Sequence, residues 1–212
     1  TLIGHPLGHT MSPFIHKKLF ALSGIHARYD CTDFPPEMIN DIVPEMNKLE
    51  GYNVTIPYKT SVIPFLDELD ESAKRYNAVN CVVNKKGKTI GYNTDCDGFL
   101  RTVRGYPLGA KVLILGCGGV GRMMALEAAA HDADITIAIV EEARDMADKL
   151  LGEINTQFPD VNAQIVLISE ITGNYEMLIN ATPVGMYPYV DLCPVPDSVI
   201  LRCDTVFDAI YN

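Results

Sequence analysis

A chain of 212 residues with 48% apolar and 21% charged residues has the composition of a globular protein and excludes intrinsic disorder. The net charge of −10 is unevenly spread: residues 1–105 carry 12 basic and 12 acidic side chains, residues 106–212 carry 5 and 15, so the second half repels nucleic acid and anionic membrane surfaces. No apolar run approaches the ~20 residues that span a bilayer, and the first residues resemble neither a signal nor a transit peptide. Cys31, Cys81, Cys96, Cys117, Cys193 and Cys203 form no C-x-x-C pair. That scatter predicts reduced thiols in a cytoplasmic protein rather than a disulfide frame or a zinc site.

In chain order, "TLIG" (1–4) predicts a strand, residues 12–22 a helix and "ARYDCTDF" (27–34) a second strand. A helix from Pro36 leads to the strand "GYNVTI" (51–56), two short helices and the strand "AVNCVV" (78–83). "KKGK" (85–88) turns a hairpin into "TIGYNT" (89–94), and a helix follows from Asp95 to about Arg104. These elements predict a small α/β domain over residues 1–104, closed by the Gly- and Pro-bearing "RGYPLGAK" (104–111). Beyond it run "KVLILG" (111–116), a small-residue helix (122–131), "DITIAIV" (134–140) and a helix over 141–158. The strands "AQIVLI" (163–168), "EMLINAT" (176–182) and "TVFDAIY" (205–211) complete the alternation. That rhythm predicts a parallel sheet covered on both faces, a Rossmann-type dinucleotide-binding domain over 105–212. The chain starts inside a strand without methionine and stops just after another, so residues are expected to be missing at both ends.

"GCGGVG" supplies Gly116-x-Gly118-x-x-Gly121 between a strand and a helix. The first glycine permits a tight turn, the second lets backbone approach a pyrophosphate, and the third lets helix pack on strand, with helix N–H groups facing the phosphates. A glycine-rich turn without a ligand is the bland alternative. At the end of the next strand stand Ile139, Val140, Glu141 and Glu142, and the nearest cation is Arg144. A carboxylate there accepts ribose hydroxyls and repels a 2′-phosphate, so NAD is expected over NADP.

In "NVTIPYKT" (53–60), Pro57 pushes Ile56 toward extended geometry and puts Lys59 at the opening of the next helix. A solvated lysine and one held over a substrate both fit that stretch. In "GHPLGHTMSPFIHK" (4–17), Ser12 before Pro13 reads as an ordinary helix cap. Thr10 and Ser12, two residues apart, also suit two hydroxyls gripping one carboxylate. His5, His9 and His16 lack the spacing of a helical metal site. In "GYNTDCDGF" (91–99), Asn93, Thr94 or Asp95 caps a helix, and Asp95 is also the natural partner for a lysine that carries a proton.

The motifs "GHPLGHTMSP", "NVTIPYK", "NAVN", "GYNTDCDG", "GCGGVG", "NATPVGM" and "DAIYN", in this order, resemble the shikimate dehydrogenases and their quinate/shikimate dehydrogenase relatives over essentially the whole chain. The resemblance implies Lys59 as catalytic lysine with Asp95 as its partner, and Thr10 and Ser12 on the substrate carboxylate. It implies Asn53, Thr55 and Asn80 on ring hydroxyls, with Tyr211 approaching from the second domain. Gly118, Gly119, Val120 and Gly121, after Gly116, would contact the pyrophosphate. Residues 180–186, among them Ala181, Thr182, Pro183 and Met186, would line the nicotinamide side with Ala209. The chain departs from the family in Thr10, where serine is usual, in Ile139-Val140-Glu141 where a phosphate-gripping Asn-Arg-Thr is usual, and in lacking the C-terminal helices. The implied reaction is reversible NAD(P)-dependent reduction of 3-dehydroshikimate to shikimate. The alternatives are NAD-dependent interconversion of quinate and 3-dehydroquinate, or a ligand-sensing module without catalysis. Implied partners are the small-molecule acid alone, with neither nucleic acid nor membrane, in a monomer or homodimer.

Overall fold

A computed structural model describes residues 1–8 and 10–210. Thr1–Asp95 form one compact unit and Cys96–Asn212 another, so the division falls at the head of a helix, ahead of the Gly- and Pro-bearing segment.

The first unit is built on a mixed sheet. Its strands are β1 (Leu2–Gly4), β2 (Cys31–Asp33), β3 (Gly51–Val54), β4 (Glu68–Leu69), β5 (Cys81–Lys85) and β6 (Lys88–Tyr92), in the order β2-β1-β3-β5-β6-β4. β1 is central and buried, pairing in parallel with β2 and β3, whereas β5 runs antiparallel to β3 and β6. Gly4 ends β1 where a Cβ would lie 2.5 Å from the Thr55 methyl and 2.6 Å from Leu7, so a larger residue there would have to displace both side chains. Along β3 the period-two alternation turns Tyr52 and Val54 into a core with Ile3, Phe34, Val43, Tyr58 and Val62, and leaves Asn53 on the opposite face. The helices are α1 (Ser12–Ser23), α2 (Ile39–Met46) and α3 (Glu71–Tyr76).

The second unit opens with α4, which spans Asp95–Thr102 and so takes its first residue from the unit before it. The sheet that follows consists of β7 (Lys111–Leu115), β8 (Asp134–Ile139), β9 (Ala163–Leu167), β10 (Tyr175–Asn180) and β11 (Cys203–Asp208), all parallel in the order β11-β10-β7-β8-β9. Val112, Leu113, Ile114 and Leu115 are wholly buried, as expected of a central strand covered on both faces. The crossover helices are α5 (Gly119–Ala130) and α6 (Arg144–Gln157), with a one-turn α7 (Asp197–Ile200) ahead of β11. The chain leaves β7 toward β8 and β9, then returns to β10 on the other side, which makes the carboxyl ends of β7 and β10 the switch point where such sheets bind ligands.

Some boundaries differ from expectation. The strand expected over 27–34 is limited to Cys31–Asp33 because its neighbour β1 offers only three positions to pair with. Lys59 does not open a helix: it stands in a turn that leads to a 3-10 helix over Ile63–Phe65. β4 and α7, of two and four residues, were too short to give a periodic signal. No described helix is long and apolar enough to cross a membrane.

Candidate active site

Lys59 is fixed from below and aimed from beside. Its neighbour Tyr58 is 1% exposed, stacks on Phe34 with ring centroids 4.6 Å apart, and donates its phenol hydrogen to the Phe34 carbonyl. The Lys59 carbonyl accepts from the Val79 N–H at 2.7 Å, which clamps the turn to the segment entering β5. With Tyr58 driven into the core, Lys59 points to the other side, where Nζ donates to Asp95 Oδ2 at 2.6 Å. The second oxygen of Asp95 accepts from Asn80 Nδ2 at 2.7 Å. Asn93 performs the local capping, its buried side chain accepting from the Asp95 N–H at 3.0 Å, so the Asp95 carboxylate is released for Lys59 and Asn80. Asn80 is itself held by Thr94, whose N–H donates to Oδ1 at 2.9 Å. Both side chains of the pair are partly open to solvent, at 26% and 36%. An ammonium gripped by a doubly bonded carboxylate and still accessible is equipped to exchange a proton with a bound hydroxyl.

Asn53 lies one strand away from Asn80, and its Nδ2 donates to the Asn80 carbonyl at 3.2 Å. Thr55 follows β3, its N–H held by the Ile3 carbonyl at 2.9 Å and its side chain half-exposed. On the loop between β1 and α1, Met11 occupies the cap position without a side-chain cap bond, and Ser12 is the first helical residue with Pro13 behind it. The local bond comes from Thr10, whose hydroxyl accepts from the Ser12 N–H at 3.2 Å. Ser12 is therefore not the cap that the Ser-Pro pair suggested. Sequence reasoning missed the anchor of this loop: Asp33, at the end of β2, accepts from the Leu7 N–H at 2.8 Å and bonds His5 Nδ1 at 2.7 Å. These bonds hold the Asp33 carboxyl below its ordinary range. An acid two residues past a cysteine in a short strand carries no motif that could have revealed it.

In the second unit, Gly116 leaves β7 at φ +88°, and a Cβ on Gly121 would stand 2.3 Å from the Gly116 carbonyl oxygen. Gly116 thus allows the turn and Gly121 the close packing of α5. Cβ atoms on Gly118 and Gly119 would meet nothing within 4 Å, so this backbone faces open space. Gly118 is the cap of α5 and no side chain satisfies the cap, which leaves the N–H groups of Gly119, Val120 and Gly121 pointing at that space. This cradle fits a pyrophosphate. The Ala181 N–H donates to the Leu115 carbonyl at 3.0 Å, bringing the loop after β10 against the glycine turn. Asn180, 3% exposed, braces that loop by accepting from Thr182 N–H and hydroxyl at 3.1 and 2.7 Å and donating to Asp208 at 3.1 Å. Its side chain is structural, whereas Pro183 and Met186 stand exposed beyond it. The Ala209 N–H is held by the Asn180 carbonyl at 3.0 Å. Tyr211 and His9 lie outside the described residues.

Proton-carrier geometry on one unit and a phosphate cradle on the other are the two provisions of a nicotinamide-dependent oxidoreductase acting on a CH–OH group. Known proteins agree. A family model described as shikimate dehydrogenase substrate binding domain matches residues 2–82. The shikimate dehydrogenase (NADP(+)) of Methanococcus maripaludis is 38% identical over 218 residues, covering 100% of this chain and 77% of the relative. That of Bacillus cereus (strain G9842) is 34% identical over 220 residues, covering 100% and 78%. Among solved structures, shikimate 5-dehydrogenase from Listeria monocytogenes in complex with shikimate and NAD has a TM-score of 0.84 at 29% identity, covering 99% of this chain and 77% of that one. The chain belongs to the shikimate dehydrogenase family.

The relatives correct one expectation. They are named for NADP(+), which overturns the preference for NAD over NADP drawn from Glu141 and the acidic second half. The charge argument weighed the Glu141 carboxylate against a phosphate and set aside Arg144, one helical turn on. Arg144, at the head of α6, lies 3.5 Å from Glu141 Oε2, so the carboxylate at the strand end carries its own counter-cation. Glu141 is also largely exposed, where salt and water screen its repulsion.

Proposed function

We propose that this chain catalyses the reversible oxidation of the ring C3 hydroxyl of shikimate to 3-dehydroshikimate with NADP, in the cytoplasm. The single observation that carries the reading is the Lys59–Asp95 pair, held at 2.6 Å with Asn80 on the other carboxylate oxygen. NADP supplies the nicotinamide ring that accepts and returns the hydride. In reduction the Lys59 ammonium gives its proton to the carbonyl oxygen as the carbon gains hydride, and in oxidation the neutral Lys59 amine takes the hydroxyl proton and becomes the ammonium beside that oxygen. Asp95 keeps the ammonium on that oxygen. Thr10 and Ser12 bind the carboxylate, and Asn53, Thr55 and Asn80 orient the ring hydroxyls. Tyr211 belongs to the same assignment. Gly118, Gly119, Val120 and Gly121 offer the pyrophosphate their N–H groups, Ala181, Thr182, Pro183, Met186 and Ala209 flank the nicotinamide, and Arg144 meets the 2′-phosphate next to Glu141.

Initial rates at 340 nm for shikimate and for quinate, each with NADP and with NAD, test the reading. The expected result is a kcat/KM highest for shikimate with NADP. Turnover of quinate alone would move the substrate assignment, and absence of turnover with every pair would return the chain to the class of binding modules.

A further inference from the structure

Tyr29 precedes β2 and has no place in the reaction assigned above. Its phenol donates to Asn53 Oδ1 at 2.9 Å. The opposite end of the Asn53 amide is fixed independently, because the Asn80 carbonyl can only accept and so must face Nδ2 at 3.2 Å. The amide is therefore pinned at both ends, with one N–H left to meet a ligand in one orientation. The Tyr29 ring is pinned in turn. It stacks on His16 at 3.8 Å between centroids and 8° between planes, and His16 Nδ1 donates to the Ser12 carbonyl at 2.9 Å. Burial pushes the Tyr29 phenol up to about 12, so it stays a hydrogen donor to Asn53. Its phenol thus touches a residue assigned to the ring hydroxyls, while its ring is fixed, through His16, to the helix start that carries Ser12. From Asn53 the chain of bonds runs through Asn80 to Asp95 and Lys59.

We propose that Tyr29 is a positioning residue for the substrate: its phenol sets the orientation of the Asn53 amide. The inference rests on the shikimate dehydrogenase reading, since it concerns how the ring hydroxyls of a hydroxylated cyclic carboxylic acid are held. Tyr29→Phe keeps the ring and its stack on His16 and removes only the hydroxyl. It acts on ground-state binding of the acid, so KM for shikimate rises roughly tenfold, the scale of one hydrogen bond, while kcat stays within about threefold and KM for NADP is unchanged.

The test is a double-mutant cycle of Tyr29→Phe and Asn53→Ala, read as KM and kcat for shikimate. Action through Asn53 predicts that Tyr29→Phe adds little to KM once Asn53 is alanine. Equal effects of Tyr29→Phe in both backgrounds would overturn the proposal. So would an unchanged KM with a lowered melting temperature, the mark of a purely structural tyrosine. Absence of shikimate turnover in the unmodified chain would overturn the dehydrogenase reading and this inference together, whereas normal turnover with an unchanged Tyr29→Phe KM overturns this inference alone.

Discussion

The Thr10 hydroxyl accepts the Ser12 N–H at 3.2 Å, and it does so in a helix start whose cap position carries no side-chain cap bond. Ser12 is thereby spared the capping role that its position before Pro13 suggests. If its hydroxyl grips the substrate carboxylate, Ser12→Ala raises KM for shikimate more than it lowers kcat, because the carboxylate does not change during hydride transfer. Steady-state kinetics beside a thermal melt separate the cases. Loss of ~1 kcal/mol of stability with unaltered kinetics is what a mere cap would give.

The glycine loop yields a paired prediction. Gly121→Ala forces a Cβ to within 2.3 Å of the Gly116 carbonyl, a backbone atom that cannot step aside, so overpacking of about 1–3 kcal/mol lowers the melting temperature. Gly119→Ala meets nothing within 4 Å, so the melt is unchanged while the added methyl stands in the space offered to the pyrophosphate. Its dissociation constant for NADP, measured by calorimetry, rises. A Gly119→Ala protein with normal NADP affinity would move the phosphates elsewhere.

Cofactor choice is assigned to Arg144, which now pairs with Glu141 at 3.5 Å. Arg144→Ala raises KM for NADP by about tenfold, the scale of one charge-assisted hydrogen bond, and leaves KM for NAD nearly unchanged. Equal changes for both cofactors would contradict a contact to the 2′-phosphate.

The order of elements, the two α/β units and the glycine cradle were legible because each leaves a local mark: apolar runs, Gly and Pro punctuation, a fixed glycine spacing. Lys59 and Asp95 were legible as a pair because each follows a strand whose partners bring the ends together. What the sequence concealed was non-local or charge-specific. The Asp33 anchor joins residues 26 and 28 positions apart through a backbone N–H and an imidazole, and no pattern marks such a bond. The Tyr29–Asn53 contact hides inside a stretch that reads as strand but pairs only from Cys31. The NAD expectation failed on a salt bridge closed across one 3-10 turn, because distance along the sequence does not tell that Arg144 folds back onto Glu141.

Asp33 gives a pH prediction whose sign follows from its depressed folded value. The carboxylate's contribution is present above the unfolded value near 3.8 and is lost as pH falls through the lower folded one. In Asp33→Asn that dependence is absent. Urea midpoints at pH 5 and pH 3 therefore converge between the two proteins as pH falls, the unmodified chain losing more. A constant difference between them would show that Asp33 does not titrate in this range.

The central claim is that Lys59 carries the proton. It is tested most directly by kcat for shikimate oxidation in Lys59→Ala, with NADP affinity measured on the same protein. The account predicts a fall in kcat of at least ~100-fold, the low end of general acid–base contributions, with the NADP dissociation constant unchanged. Near-normal turnover in Lys59→Ala would contradict it.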